Sequence, residues 1–265
     1  MQTVMVALAL LGLCVAAEAK VRTEAVEYES GGVALEGYLA YDDAIQGKRP
    51  GVLVVHEWWG LNDYPKQRAR QLAEMGYVAF AADMYGKGVV TDDMTKAGQL
   101  AGQFRQNWDT TGRALMRERA QAGLAVLAKN PRVDPRQIAA IGFCFGGSTV
   151  LELAYSGADI AGVVTFHGGL TVPTDDDLPG IKARFLILHG ADDPSIKPET
   201  ITAMQAALDQ GHADWQMILY GGAVHGFSNP ANTDMTNKAV HYDEKAARRS
   251  WEAMKVFFND IFGKR

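Results

Sequence analysis

The chain has 265 residues, of which 48% are hydrophobic and 22% are charged, and its formal net charge is −5. This length and composition are typical of one large globular domain that buries a full core without disulfides or metals. The acidic balance and the lack of a basic cluster exclude nucleic acid and anionic lipid as expected partners.

The first residues differ from the rest of the chain. Residues 4–17 form an apolar run too short to span a bilayer as a stable helix, and it leads into Ala17-Glu18-Ala19, the small-x-small pattern of a signal-peptidase site. We therefore expect residues 1–19 to be a cleaved signal peptide and the mature chain, 20–265, to be periplasmic or secreted. The alternative is an uncleaved N-terminal extension, because no Lys or Arg precedes the run.

Short apolar runs of strand length alternate with longer amphipathic stretches along the mature chain. This alternation predicts an α/β fold, with a mostly parallel central sheet covered by helices on both faces, in a single domain. We expect strands at 33–41, 51–56, 77–83, 137–143, 160–166, 184–189 and 214–220, and helices at 64–75, 198–210 and 239–262, with two more within 92–130.

Cys144 would be the single cysteine of the mature chain, because Cys14 lies in the predicted signal peptide. The mature protein would then form no internal disulfide. A free cysteine is often only a small buried hydrophobic residue. In an exported protein, however, a lone thiol is open to oxidation, so its presence needs a reason.

The sequence around Cys144 is Gly142-Phe143-Cys144-Phe145-Gly146-Gly147, at the junction of a predicted strand and helix. Gly-x-nucleophile-x-Gly is the pattern of a nucleophile elbow, here with cysteine as the nucleophile. The sharp turn is strained and leaves no room for side chains two residues away. It also directs the backbone N–H of Phe145 at a developing oxyanion. The alternative is a tight strand-to-helix turn without chemistry.

An acid and a histidine follow two later predicted strands. Asp193 lies in Gly190-Ala-Asp192-Asp193, and His225 lies in Gly221-Gly-Ala-Val-His225-Gly226. The histidine would take a proton from the thiol or from water, and the carboxylate would fix its tautomer and stabilise the imidazolium. Charge alone does not separate Asp192 from Asp193, and we choose Asp193 because Gly190-x-x-Asp193 is the usual reach of an acid loop.

His56-Glu57-Trp58-Trp59-Gly60 ends the first buried strand. In the hydrolase folds that use a nucleophile elbow, this loop supplies the second oxyanion-hole N–H, here that of Trp58. Glu57 places a carboxylate at the mouth of the expected site. The alternative is a surface acid in a salt bridge.

The remaining histidines have simpler interpretations. His56, His167 and His189 lie at strand ends and are expected to be hydrogen-bonded structural groups, whereas His212 and His241 are expected at the surface. No His or Cys spacing fits a zinc site, so we expect no metal and no cofactor.

Four motifs in this order resemble the dienelactone hydrolase family, over nearly all of the mature chain. They are Glu57 after a buried strand, the elbow of Cys144, Gly190-x-x-Asp193 and His225-Gly226-Phe227. The resemblance implies an α/β-hydrolase fold and a carboxymethylenebutenolidase-type Cys-His-Asp triad that cleaves an ester or lactone through a thioester acyl-enzyme. It also implies that Glu57 contacts the resting thiol and helps to deprotonate it when substrate binds.

The chain departs from this family at Asn229. Enzymes that act on dienelactone carry an arginine four residues after the catalytic histidine, which grips the substrate carboxylate. Asparagine lacks that charge and bidentate geometry. We therefore expect Asn229 in the substrate pocket and a preference for uncharged small-molecule esters or lactones, with Arg105 or Arg113 able to compensate. Four aromatic residues are expected around the nucleophile: Trp58, Trp59, Phe145 and Phe227.

Two other classes of function remain open. One is a thiol redox protein, although Cys-x-x-Cys is absent, and the other is a ligand-binding module that has lost its chemistry on the same fold. The sequence leaves the oligomeric state and the physiological substrate open.

Overall fold

The computed structural model describes residues 21–263. The predicted signal peptide, 1–19, lies outside these residues, so cleavage and export stay predictions. No helix within the described range is long and apolar enough to cross a membrane.

Eight strands in the described range form one sheet in the order β1-β2-β4-β3-β5-β6-β7-β8. Strand β2 pairs antiparallel with β1 on one side and with β4 on the other. In this spatial order, all neighbouring strands from β4 to β8 are parallel. The strands are β1 (Val21–Ser30), β2 (Val33–Asp42), β3 (Arg49–Val55), β4 (Val78–Ala82), β5 (Val133–Phe143), β6 (Gly162–Phe166), β7 (Arg184–Gly190) and β8 (Trp215–Tyr220).

Six α-helices in the described range cover both faces of this sheet. They are α1 (Asp63–Glu74), α2 (Met94–Gly102), α3 (Arg113–Lys129), α4 (Phe145–Tyr155), α5 (Pro198–Gln210) and α6 (Glu244–Phe262). A π-helical turn, Trp108–Gly112, leads into α3, and a 3₁₀ turn, Leu178–Gly180, precedes β7. The predicted mostly parallel α/β fold is confirmed.

The core has two layers because alternate residues of a strand point to opposite faces of the sheet. Leu53 and Val55 of β3 pack with α3, α4 and α5 on one face, whereas Val52 and Val54 pack with α1 and α6 on the other. All four of these side chains are fully buried, as expected for a central parallel strand.

Two elements differ from the sequence prediction. No strand was predicted at β1, whose side chains are mostly exposed because it is an edge strand paired only with β2. Helix α6 begins at Glu244 rather than at 239, because Asp243 caps it by accepting a hydrogen bond from the Ala246 N–H. The residues before the cap instead form part of the loop that carries His225.

Candidate active site

The sharp turn at Cys144 joins β5 to α4 and raises the thiol out of the sheet. Cys144 has φ 53° and ψ −114°, a conformation that non-glycine residues rarely adopt. A Cβ at Gly142 would lie 1.9 Å from the Gly146 carbonyl oxygen, and a Cβ at Gly146 would lie 2.3 Å from the Val55 carbonyl oxygen. Both glycines are therefore required by the close approach of the backbone, as the elbow pattern predicts.

His225 and Asp193 lie on the loops after β8 and β7. The Nδ1 atom of His225 donates to Asp193 Oδ2 at 2.9 Å. The other carboxylate oxygen of Asp193 accepts hydrogen bonds from the N–H and the hydroxyl of Ser195, at 2.9 and 2.5 Å. Asp192 is exposed and Asp193 is buried, so the structure brings Asp193 to the histidine.

The charges at this site favour an ionised Asp193 and a protonated His225. Burial alone would raise the pKa of the Asp193 carboxyl, but the hydrogen bond and charge of His225 and the two bonds from Ser195 lower it to about 2. Burial alone would lower the pKa of His225, but the charge of Cys144 and the hydrogen bonds with Asp193 and Cys144 raise it to about 10. The imidazolium form is therefore stabilised between a carboxylate and the sulfur.

Glu57 is a buried carboxyl group that lines the same cavity. Its Oε2 accepts a hydrogen bond of 2.6 Å from Asn229 Nδ2. Burial raises the pKa of Glu57 to about 7, although the Asn229 hydrogen bond and the charges of His225 and Arg68 oppose this effect. Glu57 therefore exchanges its proton near neutral pH.

His56 fixes the peptide that would supply the second oxyanion-hole N–H. Its Nε2 accepts from the Met84 N–H at 3.2 Å, so its proton lies on Nδ1, which donates to the Glu57 carbonyl at 2.5 Å. Because the peptide is trans, the N–H of Trp58 points away from that carbonyl. The His56 ring also stacks on Phe145, which supplies the other predicted N–H. His56 is a hydrogen-bonded structural group, as expected, and it contacts Phe145 and the Glu57 carbonyl, whose peptide carries the Trp58 N–H.

A cavity of about 830 Å³ opens above Cys144 and His225. Its lining includes the apolar side chains of Trp58, Trp59, Trp108, Met116, Leu170 and Ile196. The loop that follows His225 also lines the cavity, and there Ala239 O accepts from the His225 N–H at 3.2 Å. Among the described residues, no cluster of His, Cys, Asp and Glu could hold a metal ion.

Two residues predicted in the substrate pocket lie elsewhere. Phe227 is fully buried and packs edge-on against His167, because the chain turns inward at Gly226, which has φ +69°. Asn229 is also buried and faces Glu57 rather than the cavity space. The structure thus corrects both placements, whereas Trp58, Trp59 and Phe145 do line the cavity.

The two candidate arginines have different surroundings. Arg105 is exposed and lines the cavity. Arg113 forms salt bridges of 2.6 Å with Glu152 and 2.7 Å with Asp177, and Arg117 joins the same two carboxylates. This buried network connects α3, α4 and the 3₁₀ turn, so Arg113 is committed to the fold.

Sequence reasoning missed several residues of the site. Of the apolar lining residues, Trp108 lies in a one-turn π-helix and Leu170 and Ile196 lie in loops, and such short or irregular segments give no signal of hydrophobic periodicity. Ser195 had a local signal, because a serine two residues after an aspartate commonly bonds back to it.

A model of the dienelactone hydrolase family matches residues 35–262, and the chain belongs to this family. A protein of Aquifex aeolicus (strain VF5), named provisionally as a carboxymethylenebutenolidase, is 28% identical over 237 residues, which are 88% of this chain and 96% of the relative. Membership of this family makes the chain a hydrolase rather than a thiol redox protein or a binding module.

Solved structures support the same assignment. A dienelactone hydrolase-like promiscuous phosphotriesterase from metagenomic libraries is 41% identical, with 93% of this chain and 100% of that chain covered and a TM-score of 0.86. A structure from Klebsiella pneumoniae subsp. pneumoniae MGH 78578, named provisionally as a dienelactone hydrolase, shares the fold at 23% identity, with a TM-score of 0.75 over 90% of this chain and 98% of that chain.

The raised pKa of Glu57 makes a prediction about stability. Its usual value of 4.5 applies to the unfolded chain, and about 7 to the folded protein. The unfolded chain therefore loses this proton first, so the Glu57 contribution to the free energy of unfolding falls as pH rises from 4.5 to about 7 and stays low above that. In Glu57→Gln, the side-chain oxygen can still accept the hydrogen bond from Asn229, but the side chain no longer titrates, so this loss of stability with rising pH is removed.

We expect the stability of Glu57→Gln relative to the wild type to increase by about 2.5 kcal/mol from about pH 5 to about pH 8. Urea unfolding at the two pH values measures the difference. Glu74→Gln, at an exposed position, controls for the loss of one charge. If the free energy of unfolding of Glu57→Gln differs from that of the wild type by the same amount at both pH values, the claim that Glu57 titrates with a raised pKa is contradicted.

Proposed function

We propose that the protein hydrolyses carboxylic esters or lactones of small molecules through a Cys-His-Asp triad and a thioester acyl-enzyme. The observation that carries this proposal is that Cys144, on a strained elbow, lines the same cavity as His225, whose Nδ1 lies 2.9 Å from Asp193 Oδ2. The cavity that Cys144 and His225 line is large enough for a small organic ester.

In the acylation step, the Cys144 thiolate attacks the carbonyl carbon and the carbonyl π electrons move to the oxygen. The N–H groups of Phe145 and Trp58 stabilise this oxyanion. When the tetrahedral intermediate collapses, the C–O bond to the leaving group breaks. The departing alkoxide takes the proton of the His225 imidazolium, and a thioester remains on Cys144.

In the deacylation step, neutral His225 removes a proton from water, and the hydroxide attacks the thioester carbonyl. The C–S bond breaks, the thiolate leaves with its electron pair, and the carboxylic acid product loses its proton to solvent. Asp193 holds the ring with Nδ1–H directed at its carboxylate in both steps, so Nε2 is the atom that exchanges protons.

Glu57 supplies a second base for the resting enzyme. Its carboxyl lines the cavity of Cys144, and its pKa of about 7 leaves both protonation states populated at neutral pH. A neutral thiol in the resting enzyme resists oxidation. When substrate binds, its proton passes to Glu57, and the thiolate that results forms the ion pair with the His225 imidazolium.

The triad residues are expected to act as one unit. Removing the nucleophile in Cys144→Ala or the base in His225→Ala should each lower kcat/KM by at least ~10³, and the double mutant should lose little more, because coupled catalytic groups are not additive. Hydrolysis of a p-nitrophenyl ester measures these losses. Asp193→Asn, which keeps the volume of the side chain, should slow the reaction without lowering the melting temperature greatly.

Circular dichroism melts of each variant control for loss of fold. Full esterase activity in Cys144→Ala would overturn the mechanism, and losses that multiply in the double mutant would show that the two residues act separately.

We further propose that the substrate is uncharged. Arg113 is held by two carboxylates, Asn229 faces Glu57, and the wall around the nucleophile is largely apolar. Arg105 is the cavity-lining residue that could grip a carboxylate. The relative described as a promiscuous phosphotriesterase is 41% identical to this chain. Phosphotriesters, like neutral esters and lactones, are electrophiles without a charge, so this description agrees with an uncharged substrate.

We expect a higher kcat/KM for a neutral lactone than for its carboxylated analogue, because one missing charge-assisted hydrogen bond costs roughly 10- to 150-fold in binding. The comparison is repeated in Arg105→Gln, and an aryl phosphotriester completes the panel. A carboxylated substrate favoured by more than ~10-fold contradicts the proposal. If Arg105→Gln abolishes that preference, Arg105 is the determinant instead.

A further inference from the structure

The side-chain amide of Asn229 has one possible orientation. Its Oδ1 accepts the main-chain N–H of Ala231 at 3.0 Å, and a main-chain N–H can only donate. The Nδ2 group therefore faces Glu57, whose Oε2 lies at 2.6 Å. Asn229 and Glu57 are 3% and 4% exposed, so water does not compete for this hydrogen bond.

The backbone of Asn229 belongs to a rigid part of the catalytic loop. Its N–H donates to the Gly226 carbonyl, and its own carbonyl accepts from the Asn232 N–H, both at 3.1 Å. The side chain of Asn232 also donates to the Gly226 carbonyl, at 2.9 Å. Asn229 is therefore fixed relative to His225, which directly precedes Gly226.

Helix α1 anchors the same loop from behind. The Ser228 carbonyl accepts from Arg68 Nη2 at 2.9 Å and from the Tyr64 hydroxyl at 3.0 Å. The Arg68 guanidinium lies 4.7 Å from the centre of the Trp251 ring and 5.1 Å from that of Tyr64, which limits its movement.

The Glu57 carboxyl has few charged neighbours. The cations that act on it are His225 and Arg68. Further titratable groups near it are Tyr64, on which the Glu57 charge acts, Cys144, which lines the same cavity, and His56, whose ring bonds to the Glu57 carbonyl. Among the described residues, no salt bridge reaches Glu57, and the hydrogen bond from Asn229 is the largest effect that favours its charged form.

We propose that Asn229 is a positioning residue, which holds the Glu57 carboxylate at the cavity wall through a neutral hydrogen bond so that it can take the proton of the Cys144 thiol. This inference rests on the proposed function. A cation at this position would stabilise the carboxylate more strongly and make it a weaker base. A neutral donor fixes the carboxylate and leaves it basic near neutral pH.

The isosteric change Asn229→Asp separates this role from the role of Asn229 in the turn. The substituted side chain keeps an oxygen that accepts the Ala231 N–H, but it presents a second carboxyl group to Glu57. Two carboxyl groups in contact share a proton, so one of them ionises only at higher pH. We expect the midpoint of the pH dependence of acylation to rise by about one pH unit or more, with near wild-type rates well above it.

The acylation rate is measured from the burst of p-nitrophenol release across the pH range, together with a thermal melt. Glu57→Gln alone should acylate slowly with no midpoint near neutral pH. The double mutant Glu57→Gln with Asn229→Asp restores the hydrogen bond with its donor and acceptor exchanged. Its melting temperature should therefore equal that of Glu57→Gln. Its acylation should be as slow as that of Glu57→Gln, because it also lacks the Glu57 carboxylate.

An Asn229→Asp enzyme that keeps the wild-type midpoint would overturn the inference, whatever its absolute rate. If this variant does not fold, Asn229→Ala removes the donor without adding charge, and its midpoint must still rise. If Glu57→Gln acylates with the wild-type rate and pH profile, the proposed function of Glu57 fails. If Glu57→Gln is slow and neither Asn229 variant shifts the midpoint, only the role of Asn229 fails.

Discussion

The strained backbone at Cys144 is the constraint on which the rest of the site depends. A non-glycine residue at φ 53° is unfavourable, and it persists because β5 and α4 are buried on both sides of it. The turn is possible only where Gly142 and Gly146 let the backbone approach without side chains. Because the parallel strands all end at this edge of the sheet, the loops carrying Glu57, Asp193 and His225 lie at the same edge as the raised thiol.

Two carboxyl groups of the site have opposite pKa shifts because their hydrogen-bond donors differ. Asp193 accepts three hydrogen bonds, from His225 and twice from Ser195, and burial does not prevent its ionisation. Glu57 is buried with one amide donor, and its pKa rises to about 7. One acid is therefore a permanent counter-charge for the imidazolium, and the other exchanges a proton in the working range of pH, which suits a group that acts on the thiol.

Much of this arrangement could be predicted because it depends on local pattern. Buried strands alternating with helices predict the sheet, and the elbow glycines predict Cys144. Charge alone did not separate Asp193 from Asp192, and the structure brings the buried Asp193 to His225 while Asp192 is exposed. Phe227 and Asn229 were misplaced because the direction of a side chain after Gly226 depends on a left-handed turn and on the residues of the flanking loop. The edge strand β1 was missed because most of its side chains are exposed on both faces, so hydrophobic periodicity is weak.

The central claim is that Cys144 carries the acyl group, and mass spectrometry of an acid-quenched reaction tests it most directly. Asp193→Asn, in which activation of water should be slow, is mixed with a p-nitrophenyl ester and quenched within the first turnovers. The account predicts an increase in protein mass equal to the acyl group, located on the peptide with Cys144 and removed by neutral hydroxylamine as a thioester is. An acyl group on Ser148 or Ser195, or product formation with no adduct on Cys144 at any time, would contradict it.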